Sequence, residues 1–263
     1  MDLTIITGYF LALLVGVSLG LIGSGGSILT VPILVYILGF DAVTATGYSL
    51  FVVGGTALVG GVRNALQRNV NVSIVLLFGI PSLLAAYLVR AFAIPAVPHT
   101  IIDIGGLPLT KPLLLMIVFA IVMLIAAVKM IRSAPVTEAA AGISKSKLIA
   151  SGTATGILAG AVGAGGGFLI IPALVFLAGM PMKKAVGTSL FIIAIQSLAG
   201  FAGDAVGKEI EWAFLLPFTG LAIAGIIIGS YLSRKIDGAK LKTGFGYFVL
   251  LMGAYILVKE LFI

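Results

Sequence analysis

Apolar and polar positions divide the chain into ten apolar stretches, roughly 5–22, 27–39, 45–62, 70–90, 111–131, 146–163, 167–178, 185–203, 212–233 and 242–261, with most of the charge between them. The runs lack the polar residue at every second position that a barrel lumen requires, so the pattern predicts helices rather than outer-membrane strands. A helix needs about twenty residues to cross the hydrocarbon. Stretches two and seven have only about a dozen each, which predicts half-helices.

The two short stretches belong to a duplication. Residues 20–64 and 160–204 match without a gap at an offset of 140 positions, and sixteen of the forty-five pairs are identical. Gly23, Gly25, Gly26, Pro32, Gly39, Gly47, Ser49 and Gly60 recur as Gly163, Gly165, Gly166, Pro172, Gly179, Gly187, Ser189 and Gly200. Each short stretch follows a glycine cluster and carries a proline, so the helix is predicted to break in both copies. Apolar segments interrupted by Gly and Pro at matching places in two halves point to the binding site of a membrane transporter.

Composition agrees, because 60% hydrophobic residues, 10% charged residues and a mean hydropathy of +1.26 cannot clothe a soluble surface. The expected fold is therefore an all-α polytopic membrane protein. With no cysteine and a single histidine, His99, the chain offers no disulfide, no thiolate chemistry and no histidine cluster, and neither metal nor cofactor is expected. The N-terminus has Asp2 and no basic region, so the first stretch reads as a retained helix and not a cleaved signal. A net charge of +7 is not concentrated in any basic, aromatic-laced segment suited to nucleic acid.

Orientation accounts for the charge better. If all ten elements switch sides, one face receives Arg63, Arg68, Lys129, Arg132, Lys145, Lys147, Lys183, Lys184, Arg234, Lys235, Lys240 and Lys242, and the other Arg90, Lys111, Lys208 and Lys259. Merging each short element with its predecessor splits the same charges eight and eight. The positive-inside rule selects the first arrangement and puts both termini outside the plasma membrane. Five elements per repeat is an odd number, so the second half enters the membrane inverted. The expected layout is a first repeat over 1–131, a cytoplasmic linker over 132–147 and a second repeat over 148–263.

The glycine turns carry the candidate chemistry. The first N–H groups of a helix lack intrahelical partners and carry the positive end of its dipole, and glycine lets a ligand approach the main chain. Two such turns facing each other would hold one small oxyanion, with Ser24, Gly25, Gly26, Ser27, Gly165, Gly166 and Gly167 as ligands. The competing reading is close helix packing through small residues, which is the whole expectation for Gly225 and Gly229. Ser49, Thr188, Ser189 and Thr46 add neutral donors, against the alternative that each bonds its own i−4 carbonyl. Gln196, opposite Thr56 in the alignment, either lines a polar path or makes an interhelical hydrogen bond. Asp204 and Asn64 read as helix-end residues, with a proton relay as the further option for Asp204. Arg90, Lys129 and Lys259 are expected to snorkel, and Trp212, Tyr231, Tyr247 and Tyr255 to anchor at the interface. His99 and Asp103 fall in a Pro-rich loop, 93–111.

The paired motifs GLIGSGGSILTVPILV and GAVGAGGGFLIIPALV, each followed by ATGYSLF or AVGTSLF, resemble those of the TauE/SafE family of sulfite exporters and relatives. The resemblance implies a prokaryotic plasma-membrane protein that moves small sulfur-containing anions such as sulfite, thiosulfate, sulfonates or sulfoacetate, with proton coupling. Its implied partners are the anion, protons and the lipid bilayer, with a homodimer as a candidate assembly. The first copy departs at Ser24, Ser27 and Tyr48, where the second has Ala164, Gly167 and Thr188.

Three function classes follow. A secondary transporter needs alternating access, a channel a continuous pore, and a membrane enzyme a catalytic constellation, of which no carboxylate pair or activated nucleophile appears in the apolar runs. No Walker motif is present either, which makes an ion gradient the energy source. The topology is testable in this cysteine-free chain. Cysteines placed at Lys145 and Lys208 should respond oppositely to an impermeant thiol reagent on intact cells, and equal labelling would refute the ten-element arrangement.

Overall fold

The computed structural model describes residues 3–23, 25–93, 96, 100–104, 107–132, 144–162, 167–205 and 209–262. Among these lie ten helices that match the ten apolar stretches: α1 (Leu3–Ile22), α2 (Gly25–Pro32, continued by a π-helical turn Ile33–Ile37), α3 (Ala42–Leu66), α4 (Val72–Ala93), α5 (Lys111–Arg132), α6 (Lys145–Val162), α7 (Gly167–Phe176), α8 (Met182–Asp204), α9 (Trp212–Lys235) and α10 (Gly238–Phe262). Five of the described helices are long and apolar enough to cross a membrane: Thr44–Leu66 within α3, α4, α8, α9 and Gly238–Lys259 within α10. The protein is an all-α polytopic membrane protein.

Segment 93–111 departs from the expected plain loop. Thr100–Ile104 (β1) pairs antiparallel with Leu107–Thr110 (β2); β1 is rich in β-branched residues, and Gly105-Gly106 between the strands is a sequence suited to a tight turn. Asp103 lies on β1; His99 is outside the described residues. At the edges of the charged segment between the halves, α5 runs through Arg132 and α6 begins at Lys145.

The two short helices end identically. Gly39 and Gly179, paired in the duplication, both have positive φ, +75° and +56°. In α2, Leu38 N–H donates to Ile33 O and Phe40 N–H to Leu34 O; in α7, Ala178 N–H donates to Ala173 O and Met180 N–H to Leu174 O. All four positions differ by 140. Glycine takes the left-handed C′ conformation without a Cβ penalty, which is why both copies keep it.

Packing between the halves is equally reciprocal. Helix α1 packs on α9 and α6 on α4, while α3 packs on α8, α5 on α10 and α2 on α7. Exchanging the halves maps this set onto itself. A Cβ at Gly16 would stand 1.9 Å from Ala222 O, and one at its counterpart Gly156 would stand 2.2 Å from Ser82 O, itself the counterpart of Ala222. Likewise Gly60 faces Leu190 and Gly200 faces Leu50, each at 3.2 Å. The directions are also informative. Along α3 and α8 the partners of Gly54, Gly60 and Gly61 are Leu198, Leu190 and Phe191, so these counterpart helices run antiparallel. In α5 and α10, Gly246 meets Ile131 and Gly253 meets Met123, again antiparallel.

Gly225 and Gly229 are packing residues, as the small-residue reading expects: added Cβ atoms would lie 2.2 Å from Leu13 O and Val17 O. Overpacking of this kind costs about 1–3 kcal/mol. Gly16→Val and Gly156→Val should therefore lower the melting temperature in detergent to a similar extent, because they break equivalent contacts. Gly220→Ala and Gly244→Ala, where a Cβ meets nothing, should leave it unchanged or raise it slightly.

Candidate functional site

The glycine turn ahead of α2 lies between the halves. Gly23 has φ +83°, and a Cβ there would be 3.0 Å from Ser189 Oγ, 3.0 Å from Val186 Cγ1 and 3.1 Å from Ile171 Cδ1. Ser189 donates to Val186 O at 2.9 Å, with Gly23 O a second acceptor at 3.4 Å. The serine of the second Ala-x-Gly-x-Ser motif thus stands directly against the broken helix of the first half. Ser49, its counterpart, is also buried.

Two further hydroxyls cross between the halves. Thr188 Oγ1 accepts the Asn71 N–H at 3.1 Å, and Tyr48 Oη accepts the Glu211 N–H at 2.8 Å. These bonds are counterparts at the 140 offset, and each acceptor meets the N-cap residue of the opposite half's fourth helix, α4 or α9. Tyr and Thr are chemically unlike in size, yet each presents one hydroxyl oxygen to the same backbone position. Tyr48 gains its reach by packing its ring on Phe40 and Phe214, at centroid distances of 5.4 and 6.3 Å. Gly187 belongs to the same arrangement: a Cβ there would be 2.5 Å from Asn69 O, so only glycine lets that turn approach.

A cavity of about 400 Å³ opens between the C-terminal halves of α4 and α8. Its lining includes Ala86, Tyr87, Gln196, Ser197, Gly200 and Asp204. Gln196 makes an interhelical hydrogen bond, donating through Nε2 to Ser82 Oγ at 2.9 Å, and also lines the cavity. In the other half, the residue at the counterpart of Ala86 is larger. Ile226 occupies the position equivalent to Ala86, and its Cδ1 is 2.3 Å from where a Cβ on Gly60 would sit. There Thr56, opposite Gln196, is fully buried with no hydrogen-bond partner on Oγ1.

The sequence profile of the sulfite exporter TauE/SafE family matches residues 9–256. The chain belongs to that family. Relatives named as probable membrane transporter proteins include one from Xylella fastidiosa, 30% identical over 94% of this chain and 92% of its own length. Another from Methanocaldococcus jannaschii is 27% identical over 98% and 96%, and YunE of Bacillus subtilis 26% identical over 96% and 97%. This TauE/SafE chain is a multi-pass membrane transporter.

Within this TauE/SafE member the expected ligands divide. Ser24, Gly165 and Gly166 lie outside the described residues. Gly25 and Gly167 open α2 and α7, and Ser27 sits in the first turn of α2. Gly26 is the second residue of α2, where a Cβ would press on Leu19 at 2.4 Å, and the positive φ of this turn is at Gly23. Thr30, Thr155 and Thr219 bond their own i−4 carbonyls, the alternative that applies to most membrane hydroxyls. Lys129 and Lys259 do more than snorkel. Lys129 stands over Phe176 at 5.3 Å and Lys259 over Tyr36 at 3.8 Å, and these rings are counterparts at the ends of α7 and α2. Sequence reasoning missed Tyr48 as a cap acceptor; the signal was the recurrence of a hydroxyl at positions 48 and 188.

The cap assignment gives a measurable split. Losing one of these part-buried hydrogen bonds costs about 0.5–1.5 kcal/mol, so Tyr48→Phe and Thr188→Val should each lower thermal stability modestly. Substrate affinity should stay near wild type in both, whereas loss of affinity in Thr188→Val alone would make Thr188 a ligand.

Proposed function

We propose that this protein is a secondary transporter of small sulfur-containing oxyanions of the sulfite, thiosulfate, sulfonate and sulfoacetate class, coupled to protons and working by alternating access between inverted halves. The observation that carries the reading is the Gly23 turn, held in a left-handed conformation against Ser189 where the two interrupted helices α2 and α7 touch. A helix interrupted at glycine exposes main-chain N–H donors, and such donors hold an anion in a dry site at lower desolvation cost than a buried cation.

Inversion is supported by the antiparallel run of counterpart helices. A two-fold operation that swaps α3 with α8 and reverses their direction has its axis across the helices, which is the geometry of an inverted repeat. Alternating access is supported by an asymmetry between the halves. A cavity lies beside Gln196 and Ala86, whereas the counterpart of Ala86, Ile226, packs against Gly60, which suits a carrier with one face open. Residues 1–131 and 148–263 are the two halves in this scheme, joined by a cytoplasmic 132–147 segment.

Proteoliposomes test it directly. Sulfite, thiosulfate and short sulfonates should include at least one substrate with saturable flux that a protonophore abolishes; rates that rise without saturation would identify a channel. Gly23→Ala forces a non-glycine residue into positive φ, at about 1–2 kcal/mol, and crowds Ser189, so transport should fall about tenfold or more. Ala86→Ile, which copies the counterpart residue Ile226, should close the cavity and reduce flux while the protein still reaches the membrane.

A further inference from the structure

Two hydroxyls inside the bundle have no hydrogen bond. Thr56 on α3 is fully buried and Ser230 on α9 is 5% exposed, and neither Thr56 Oγ1 nor Ser230 Oγ meets a partner. A membrane hydroxyl ordinarily turns back onto its own helix, as Thr30, Thr155 and Thr219 do here. Keeping two of them dry and unpaired works against stability, so packing alone gives no reason for a hydroxyl at either position.

Both lie on one seam, with Ile226 between them. On α3, Thr56 shares a face with Gly60, four residues on; on α9, Ile226 shares a face with Ser230. Gly60 faces Ile226, whose Cδ1 is 2.3 Å from where a Cβ would sit. Gly55 faces Thr219, and Arg63 donates to Ile227 O at 2.9 Å. Helices α3 and α9 therefore run in the same direction, and the order along the seam is Thr56, Ile226, Ser230. Helix α1 runs with them, since a Cβ at Gly16 would meet Ala222 O and one at Gly20 would stand 2.6 Å from Ser230 N. The chain reaches the Gly23 turn three residues later. At its other end the seam starts level with Gln196, because Gly54 faces Leu198 and Gly60 faces Leu190 on α8. From that level the cavity beside Gln196 extends toward Asp204, away from Ile226.

We propose that Thr56 and Ser230 are hydrogen-bond donors to a small oxyanion crossing between the Gln196 cavity and the Gly23 turn, along a passage between α3 and α9 that Ile226 closes in this conformation. The inference rests on the alternating-access reading above and supplies its route. Neutral hydroxyls on either side of an apolar gate suit an anion that has shed its water, because each donates without bringing a charge that must itself be desolvated.

The cysteine-free chain allows the passage to be read apart from transport. Purified Thr56→Cys protein in neutral detergent is treated with 2-sulfonatoethyl methanethiosulfonate, itself a small sulfonate, and modification is followed by mass spectrometry. It should be slow with Ile226 in place and about tenfold faster with Ile226→Ala, or with the milder Ile226→Val to a smaller degree, since a smaller side chain raises the open population. Adding Ser230→Ala should slow this anionic reagent more than the neutral methyl methanethiosulfonate. In proteoliposomes, flux of sulfite, thiosulfate and methanesulfonate gives the second reading. Thr56→Val and Ser230→Ala should melt at or above the parent temperature, because each removes an unsatisfied hydroxyl, yet lower the flux of a transported anion about five- to tenfold. Thr56→Ser and Ser230→Thr should keep most of it. Modification at one rate whatever stands at position 226, or full flux in both Thr56→Val and Ser230→Ala, overturns the proposal. If none of the three anions moves while modification still follows position 226 and Ser230, the passage stands and the choice of substrate fails.

Discussion

Every backbone polar group buried away from water must find its partner inside the protein, and this fold interrupts its helices at α2 and α7. That requirement governs the rest of the structure. The turn at Gly23 is tolerated because α8 covers it, with Ser189 and Val186 against its glycine. The far ends of α2 and α7 are closed by left-handed glycines that return the chain onto the preceding carbonyls. Without Gly39 and Gly179, the carbonyls of the last turn of each short helix would lose these partners.

Neither half meets the requirement alone. The N-cap of α4 is held by Thr188 of the second half, and that of α9 by Tyr48 of the first. Lys129 and Lys259, on the last helix of each half, cover the aromatic residue at the end of the other half's short helix. Small residues at Gly16, Gly156, Gly225 and Gly229 bring backbones into contact, and in lipid this close approach is the main attraction between helices. The halves therefore fold as reciprocal supports, which accounts for the glycine at 39 and 179 and the hydroxyl at 48 and 188.

Much of this was legible in the chain. Ten apolar runs became ten helices because hydrophobic length is a strong signal, and the short seventh and second runs kept their shortness. The hydrogen bond of Gln196 is legible because an amide in an apolar run must find a partner. The packing of Gly26 against Leu19 is not, since pattern alone does not show what a glycine faces. The pairing of β1 with β2 is hidden in the sequence because the prolines around these strands dominate the pattern. Reciprocity escaped for another reason: a cap acceptor is defined by one oxygen in space, and Tyr48 and Thr188 share little else.

Where the halves diverge, the divergence falls on interior side chains. Ala86 and Ile226 are counterparts; Ala86 lines the cavity together with Gly200, while Ile226 packs against Gly60. Gln196 finds Ser82, whereas its counterpart Thr56 is buried with a hydroxyl that has no hydrogen-bond partner. A buried hydroxyl without a hydrogen bond is costly, so the packing around Thr56 must compensate. One framework thus carries a polar pair in one half and a close apolar contact in the other.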